Sequence, residues 1–136
     1  MEILLDASAI IAIIANEPER EYVISNTRNS ILVSPNIITI EIFNGLTRMM
    51  RKKIIDSKEK MLELIKNFKK IPIKMEEINI EKSIDIAWKY RIYAYDACYL
   101  ETAKRLNLPL ITFDDNMKKI GTELGIKIIG GVNVSI

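Results

Sequence analysis

Hydrophobic and polar positions divide the chain into short apolar runs and longer stretches with helical spacing. Apolar runs begin at Ile3, Ile31 and Leu110, and each is short and continuous. A parallel strand covered on both faces reads in this way, whereas an amphipathic helix repeats its apolar positions every three or four residues. Because the two patterns alternate, we predict an α/β fold, a three-layer sandwich with a central, mostly parallel sheet flanked by helices.

Turn and capping residues set the predicted boundaries of these elements. Asn36 and Asn79 are expected to cap helices, and Gly125 to end one. Pro72 places its strand at the edge of the sheet, because proline cannot donate to a central ladder. The predicted strands cover residues 2–6, 31–33, 71–73, a segment at 110 and 126–129. The predicted helices cover residues 8–16, 17–28, 37–53, 56–70, the stretch after 79, 93–107 and 115–124.

The helix after Asn79 carries an apolar stripe. Ile80, Ile84, Ala87 and Trp88 recur at helical spacing. Residues so spaced lie on one side of a helix, and we expect this side to be buried.

Composition fits one globular domain over residues 1–136. The chain is 49% hydrophobic and 28% charged, enough to bury a core at this length. The net charge of +2 is too small to indicate a polyanionic partner by itself. Lys and Arg are bunched from Arg48 to Lys53, which fits either a solvated helix end or a nucleic-acid contact.

The absence of histidine excludes several chemistries. With no histidine and one cysteine, Cys98, the chain has no zinc site of the Cys/His type, no histidine base and no internal disulfide. The first residues lack a basic region, and Asp6 interrupts the apolar run, so no secretory signal is expected. No apolar run reaches the length of a membrane span. We therefore expect a cytoplasmic protein without a membrane partner.

Carboxylates follow two of the predicted strands. Asp6 ends the first apolar run, and Asp114 and Asp115 follow the run at Leu110. Ligands of open α/β sheets bind outside the carboxyl ends of the strands, so these acids are expected near one cleft. Each acid also has a simpler explanation, because aspartate is a common helix N-cap.

Two further acids lie in helices. Glu41 interrupts an apolar stretch of the third helix, and Asp96 lies in the first turn of another. Glu41 fits a boundary residue equally well, and the helix dipole alone favours an acid at the position of Asp96. The set of four is harder to explain separately, since each acid marks a place from which a side chain can reach the same cleft.

Four segments together resemble VapC-type toxins of the PIN-domain family. They are residues 4–10, Ser34-Pro35 followed by Glu41, residues 95–97, and residues 110–114. The likeness covers nearly the whole chain. It implies an endoribonuclease that depends on Mg²⁺ or Mn²⁺, hydrolyses RNA phosphodiester bonds, forms one half of a toxin–antitoxin pair with a small antitoxin protein, and is often a homodimer.

The resemblance also assigns residues. It places four acids at the catalytic, metal-binding positions: Asp6, Glu41, Asp96 and Asp114. Ser8 and Thr112 fall on hydroxyl positions beside them, and Asp115 could replace or assist Asp114. Hard cations such as Mg²⁺ take oxygen ligands and keep several waters, so a few carboxylates suffice.

The sequence indicates the contacts with partners less precisely than the acidic site. Arg48 and Lys52, beyond Glu41 on the same helix, are candidates for binding the RNA backbone. The helices between residues 37 and 70 carry more apolar side chains than one domain of this size easily covers. Core packing is the simpler explanation, and an exposed part would suit a homodimer or an antitoxin helix. These side chains are Met49, Met50, Ile54, Ile55, Met61, Leu62 and Ile65.

Three other classes fit less well or remain open. A haloacid-dehalogenase-type phosphatase needs a second aspartate two residues after the first, where this chain has Ser8. A response-regulator receiver has its paired acids early, and here they come late. A PIN-like scaffold that binds RNA or protein without cutting is the remaining alternative.

Overall fold

A computed structural model describes residues 1–130 of the chain. Within these residues, four strands form one parallel sheet in the order β3-β2-β1-β4. The predicted α/β fold with a parallel sheet between helices is confirmed. The strands are β1 (Glu2–Leu5), β2 (Ile31–Pro35), β3 (Ile73–Glu76) and β4 (Leu110–Ile111). The helices are α1 (Ala7–Ile14), α2 (Arg20–Thr27), α3 (Ile38–Arg51), α4 (Lys58–Lys69), α5 (Ile80–Tyr90), α6 (Ala94–Leu106) and α7 (Asp115–Glu123).

The first strand forms the middle of the core. Ile3, Leu4 and Leu5 are at most 2% exposed, because β1 has a neighbouring strand on each side and helices over its faces. The continuous apolar run thus reflects burial on both faces. Asp6 follows at the carboxyl end, where the sheet stops and α1 begins.

Close packing of α3 on α1 brings two acids toward each other. Gly45 of α3 packs against Ile11 of α1, where a Cβ atom would lie 2.5 Å from Cδ1, so a larger residue would require the end of the Ile11 side chain to shift. Glu41 lies in the first turn of α3, and Asp6 lies at the start of α1. The packing of the two helices thus accompanies the approach of the two acids.

Several predicted boundaries are wrong. Asn36 does not cap α3, whose N-cap residue is Ile37 without a side-chain hydrogen bond. The backbone N–H of Asn36 instead donates to Glu76, because β2 continues through Pro35 beside the edge strand β3. The predicted strand 126–129 is reduced to one parallel bridge between Ile128 and Leu110. The start of α2 also lies later than predicted, at Arg20.

The predicted buried face of α5 is wrong as well. Ile80, Ile84 and Trp88 are 57%, 55% and 69% exposed. The buried residues of α5 are Ser83 and Ile86. Helical spacing shows which residues share a face, but the covering of that face depends on how the helix is rotated in its packing. The predicted N-cap is confirmed, since Asn79 Oδ1 accepts the N–H of Lys82 at 3.0 Å.

No helix within residues 1–130 combines the length and the apolar character needed to cross a bilayer.

Candidate functional site

All four predicted acids line one cleft of about 590 Å³ at the carboxyl edge of the sheet. Ser8, Arg48 and Lys52 line it too. The acids come from different elements: Asp6 follows β1, Glu41 lies in the first turn of α3, and Asp96 in the first turn of α6, while Asp114 precedes α7. The fold therefore brings together side chains that are far apart in the sequence.

Asp6 is the most firmly held of these acids. It is 4% exposed, and it caps α1 by accepting the N–H of Ala9 at Oδ1. Oδ1 also accepts the Ser8 hydroxyl at 2.6 Å, and Oδ2 accepts the hydroxyl of Thr112. Burial raises the pKa of Asp6, the three hydrogen bonds oppose that rise, and the charge of Asp96 adds to it. A carboxylate has about four acceptor positions, so one remains free after three hydrogen bonds.

Ser8 and Thr112 connect the end of β1 to the loop after β4. Besides donating to Asp6, Ser8 Oγ accepts the N–H of Phe113 at 3.1 Å. Thr112 Oγ1, which is buried, accepts the N–H of Asp114 at the same distance. Both hydroxyls thus fix the loop after β4 against the end of β1, and they lie beside the acids as the sequence predicted.

The two consecutive acids after β4 occupy different environments. Asp114 lines the cleft and caps α7, with Oδ1 accepting the N–H of Met117 at 2.9 Å. The side chain of Asp115 is 92% exposed and lies 4.0 Å from Lys118 Nζ. Asp115 is absent from the lining of the cleft. By placement, Asp114 is therefore the fourth acid of the cleft.

Glu41 and Asp96 are half-buried and lie near other negative charges. Burial is the largest cause that raises the pKa of each. The charges of Asp6 and Asp96 raise the pKa of Glu41 further, and Asp114 does the same for Asp96. The charge of Arg48 offsets part of the rise in the pKa of Glu41. The cleft therefore contains negative charge that is incompletely compensated.

The residues of the cleft suit a hard divalent cation in their chemistry. Every side chain among the four acids offers oxygen, and Glu41 Oε2 is buried without a hydrogen-bond partner. A cation would compensate both the repulsion and this unpaired atom. Within residues 1–130, however, no three acidic or cysteine side chains lie close enough together to hold a metal ion as they stand. Binding would require the side chains to move closer.

Sequence reasoning missed four polar or aromatic residues of the cleft. Glu17 and Glu19 line it from the loop after α1, and burial followed by the charge of Glu19 raises the pKa of Glu17. Tyr93 and Phe113 also line it. Phe113 lies within the segment 110–114, and Tyr93 lies two residues before the segment 95–97. The sequence therefore already indicated that both lie near the site. Nothing in the sequence showed that the loop after α1 returns to the sheet edge.

A sequence model of the PIN-domain family matches residues 3–123. The chain belongs to the PIN-domain family. A search of curated protein sequences found no significant match.

Solved structures with the same fold include VapC proteins. PAE2754 from Pyrobaculum aerophilum is 21% identical, with a TM-score of 0.64 over 92% of this chain and 98% of that one. VapC20 from Mycobacterium tuberculosis, a toxin that cleaves the sarcin–ricin loop, is 13% identical, with a TM-score of 0.62 over 88% and 95%. VapBC2 from Rickettsia felis, bound to promoter DNA, is 16% identical, with a TM-score of 0.60 over 88% and 93%. At these identities the likeness shows a common fold.

Proposed function

We propose that this protein is a Mg²⁺- or Mn²⁺-dependent endoribonuclease, the toxin of a toxin–antitoxin pair. The observation that carries the proposal is the meeting of Asp6, Glu41, Asp96 and Asp114 at one cleft of a PIN domain. Their uncompensated charge favours a cation, and the fold is shared with VapC toxins. We further propose that residues 1–136 form one PIN domain, of which the last six lie outside the described residues.

The chain's own residues divide the work. When bound, a divalent cation activates water and stabilises the charge of the scissile phosphate. Asp6, Glu41, Asp96 and Asp114 hold that cation through carboxylate oxygens. Ser8 and Thr112 keep Asp6 in one orientation through their hydroxyls, as residues next to metal ligands commonly do.

Positive side chains at the cleft supply contacts for the substrate. Arg48 and Lys52 are both exposed and line the same cleft as the acids. In the proposed enzyme they bind phosphates of the RNA on either side of the scissile bond, because phosphate contacts give affinity without reading sequence. We expect this activity in the cytoplasm, where the RNA substrate is.

Asp114→Asn and Asp115→Asn form a matched pair that tests the site. Asparagine caps helices about as well as aspartate, so Asp114→Asn keeps the cap of α7 and removes only the charge. RNA cleavage with Mn²⁺ should fall by at least about 10 to 100-fold. Asp115→Asn, which changes an exposed side chain, should retain activity. Equal losses at both positions, or a loss at Asp115 alone, would contradict the assignment.

Metal removal tests the mechanism on the wild-type protein. Purified protein should cut RNA with Mg²⁺ or Mn²⁺ and stop in EDTA, since no histidine is present to serve as a base. The fold should survive in EDTA, because a core of buried apolar side chains stabilises it without metal ligands. Cleavage that continues unchanged in EDTA would exclude the metal mechanism.

One observation favours a PIN-like scaffold that binds RNA or protein without cutting. The four carboxylates line the cleft without converging on a single point. The scaffold predicts that the purified protein itself does not cut RNA, so any cleavage comes from a contaminant and is unchanged in Asp6→Asn, Asp96→Asn and Asp114→Asn. The enzyme predicts a large loss for each variant, so the same assay separates the two functions.

We also propose a partner for each of two apolar surfaces. The first is a groove of about 780 Å³ between α3 and α4, lined by Phe43, Met50, Met61 and Leu62 among others. Phe43, Met50 and Leu62 are exposed, so the core does not use them fully. An amphipathic helix of a small antitoxin fits such a groove. One solved structure with this fold is a toxin–antitoxin complex from Klebsiella pneumoniae, 18% identical, with a TM-score of 0.54 over 82% of this chain and 86% of that one.

The second surface is the exposed stripe of α5, formed by Ile80, Ile84 and Trp88. We propose that it joins two copies of the chain as a homodimer. The helix carries Glu81 in its first turn and Lys89 in its last. Antiparallel pairing across a two-fold axis would place Glu81 beside the partner's Lys89, so the stripe complements itself in charge as well as in apolar character.

A further inference from the structure

Tyr99 is a buried polar residue that the proposed mechanism has not used. It lies on α6, three residues after Asp96, and therefore on the same side of the helix. Its side chain is 1% exposed. Its hydroxyl is buried and has no hydrogen-bond partner within the described part of the chain. Buried hydroxyls are nearly always hydrogen-bonded, so this one requires an explanation.

Glu41 presents the complementary case on α3. Its Oε2 atom is likewise buried without a partner, and these two atoms are the only side-chain atoms of this kind among residues 1–130. Glu41 lines the same cleft as Asp96, which lies one turn before Tyr99 on α6. After burial, Tyr99 lowers the pKa of Glu41, and Glu41 raises the pKa of Tyr99, as expected for two groups that lie close together. The hydroxyl also lies near the backbone N–H of Ala7, beside Asp6.

The chemistry of the two groups fits. A tyrosine hydroxyl has one proton to donate, and an ionised carboxylate can only accept. A small rotation of either side chain would satisfy both atoms at once. Without that hydrogen bond, the cation that attracts Glu41 is Arg48 on its own helix. The Tyr99 hydroxyl would hold Glu41 from the buried side, whereas Arg48 is exposed.

We propose that Tyr99 is a positioning residue, whose hydroxyl donates a hydrogen bond to Glu41 Oε2 and holds the other carboxylate oxygen toward the cleft. The inference rests on the proposed function, because it assigns Glu41 as a ligand of the divalent cation.

Mn²⁺ binding measured by electron paramagnetic resonance on the purified full-length protein tests the proposal. Tyr99→Phe removes one oxygen and keeps the ring, and the affinity for Mn²⁺ should fall about 10-fold or more. Tyr95→Phe is the matched control, because it removes a hydroxyl from the same helix at a side chain that lines an apolar pocket instead. Its affinity should equal that of the wild type. Unchanged affinity in Tyr99→Phe overturns the proposal.

A double-mutant cycle with Glu41→Gln shows whether Tyr99 acts through Glu41. In the Glu41→Gln background, Tyr99→Phe should cause no further loss of Mn²⁺ affinity, and an additional loss of the same size overturns the proposal. The thermal midpoints of the four proteins in EDTA provide a readout without metal. Non-additive shifts support the hydrogen bond, and additive shifts exclude it.

The outcomes also separate this inference from the proposed function. A wild-type protein that binds no Mn²⁺ overturns the proposed metal site and the positioning role together, while the cycle in EDTA still decides whether the two groups are bonded. If the Tyr99→Phe protein does not fold, the NMR signal of the ¹³C-labelled Cζ atom of Tyr99 is measured instead, with Tyr99 in place. That signal should move on Glu41→Gln, and an unmoved signal overturns the proposal.

Discussion

Asp6 has two roles that constrain each other. It caps α1 and it lines the acidic cleft, and its two oxygens already accept bonds from Ala9, Ser8 and Thr112. Replacement by asparagine would leave one carbonyl oxygen for three donors. A loss of activity in Asp6→Asn therefore mixes a lost charge with a disturbed loop. Asp114, whose cap survives the same change, is the cleaner position for mutation.

The buried charge of Glu41 predicts an unusual dependence of stability on pH. Burial raises the pKa of Glu41 in the folded protein above its ordinary 4.5, so the folded state binds the proton more tightly than the unfolded chain. The stability from this group is complete below the ordinary pKa and is lost as pH rises through the raised value. Glu41→Gln keeps the shape and never ionises. In EDTA the variant should melt above the wild type at about pH 8.

The difference in melting temperature should vanish near about pH 4, where Glu41 is protonated in both states. Differential scanning fluorimetry across this range measures it. Mg²⁺ should raise the wild-type melting temperature at neutral pH more than that of the variant, because a ligand stabilises the state that binds it. A difference that grows on acidification would show that Glu41 is stabilised as the anion.

At the scale of elements, helix starts give the most direct test of the fold. Ser57 caps α4, accepting the N–H of Lys60 at 3.1 Å, while the side chain of Asn36 caps nothing. Ser57→Ala should lower the free energy of unfolding by about 1 kcal/mol. Asn36→Ala should change it by at most about 0.5 kcal/mol. Urea unfolding measures both, and a larger loss at Asn36 would restore the predicted cap.

The sequence predicted those elements whose signals are local. The apolar runs at β1, β2 and β4 mark buried strands, and Asn79 and Gly125 mark helix ends because caps and positive φ values depend on neighbouring backbone. Asp6 and Asp114 were found because strand ends of a parallel sheet meet at one edge. The rotation of α5 and the return of Glu17 to the cleft depend on contacts between distant segments, which spacing does not encode.

At the scale of the whole molecule, the α5 stripe and the α3–α4 groove share no lining residue. We expect Trp88→Glu to convert a dimer to a monomer in light scattering, since a charge within an apolar contact is costly to bury. If a small reading frame lies beside the gene, Leu62→Glu should abolish co-purification with its product and leave the dimer intact. Each variant is the control for the other.

The two assignments can be tested against each other, because each variant should affect only one kind of complex. Loss of the small partner in Trp88→Glu, with the dimer intact, would exchange the two assignments. A wild-type protein that is monomeric at all concentrations would exclude the homodimer and leave Trp88 exposed beside Arg91, whose guanidinium lies 4.2 Å from the ring centroid.

The hydroxyl contact between Thr112 and Asp6 joins residues that are far apart in the sequence. They are separated by 106 residues, and Asp114 follows just after. During translation, Asp6 is therefore made long before Thr112 and Asp114. Until these two residues have been made, the nascent chain lacks an assembled acidic cleft. A chain with the proposed activity would be inactive towards RNA throughout that interval.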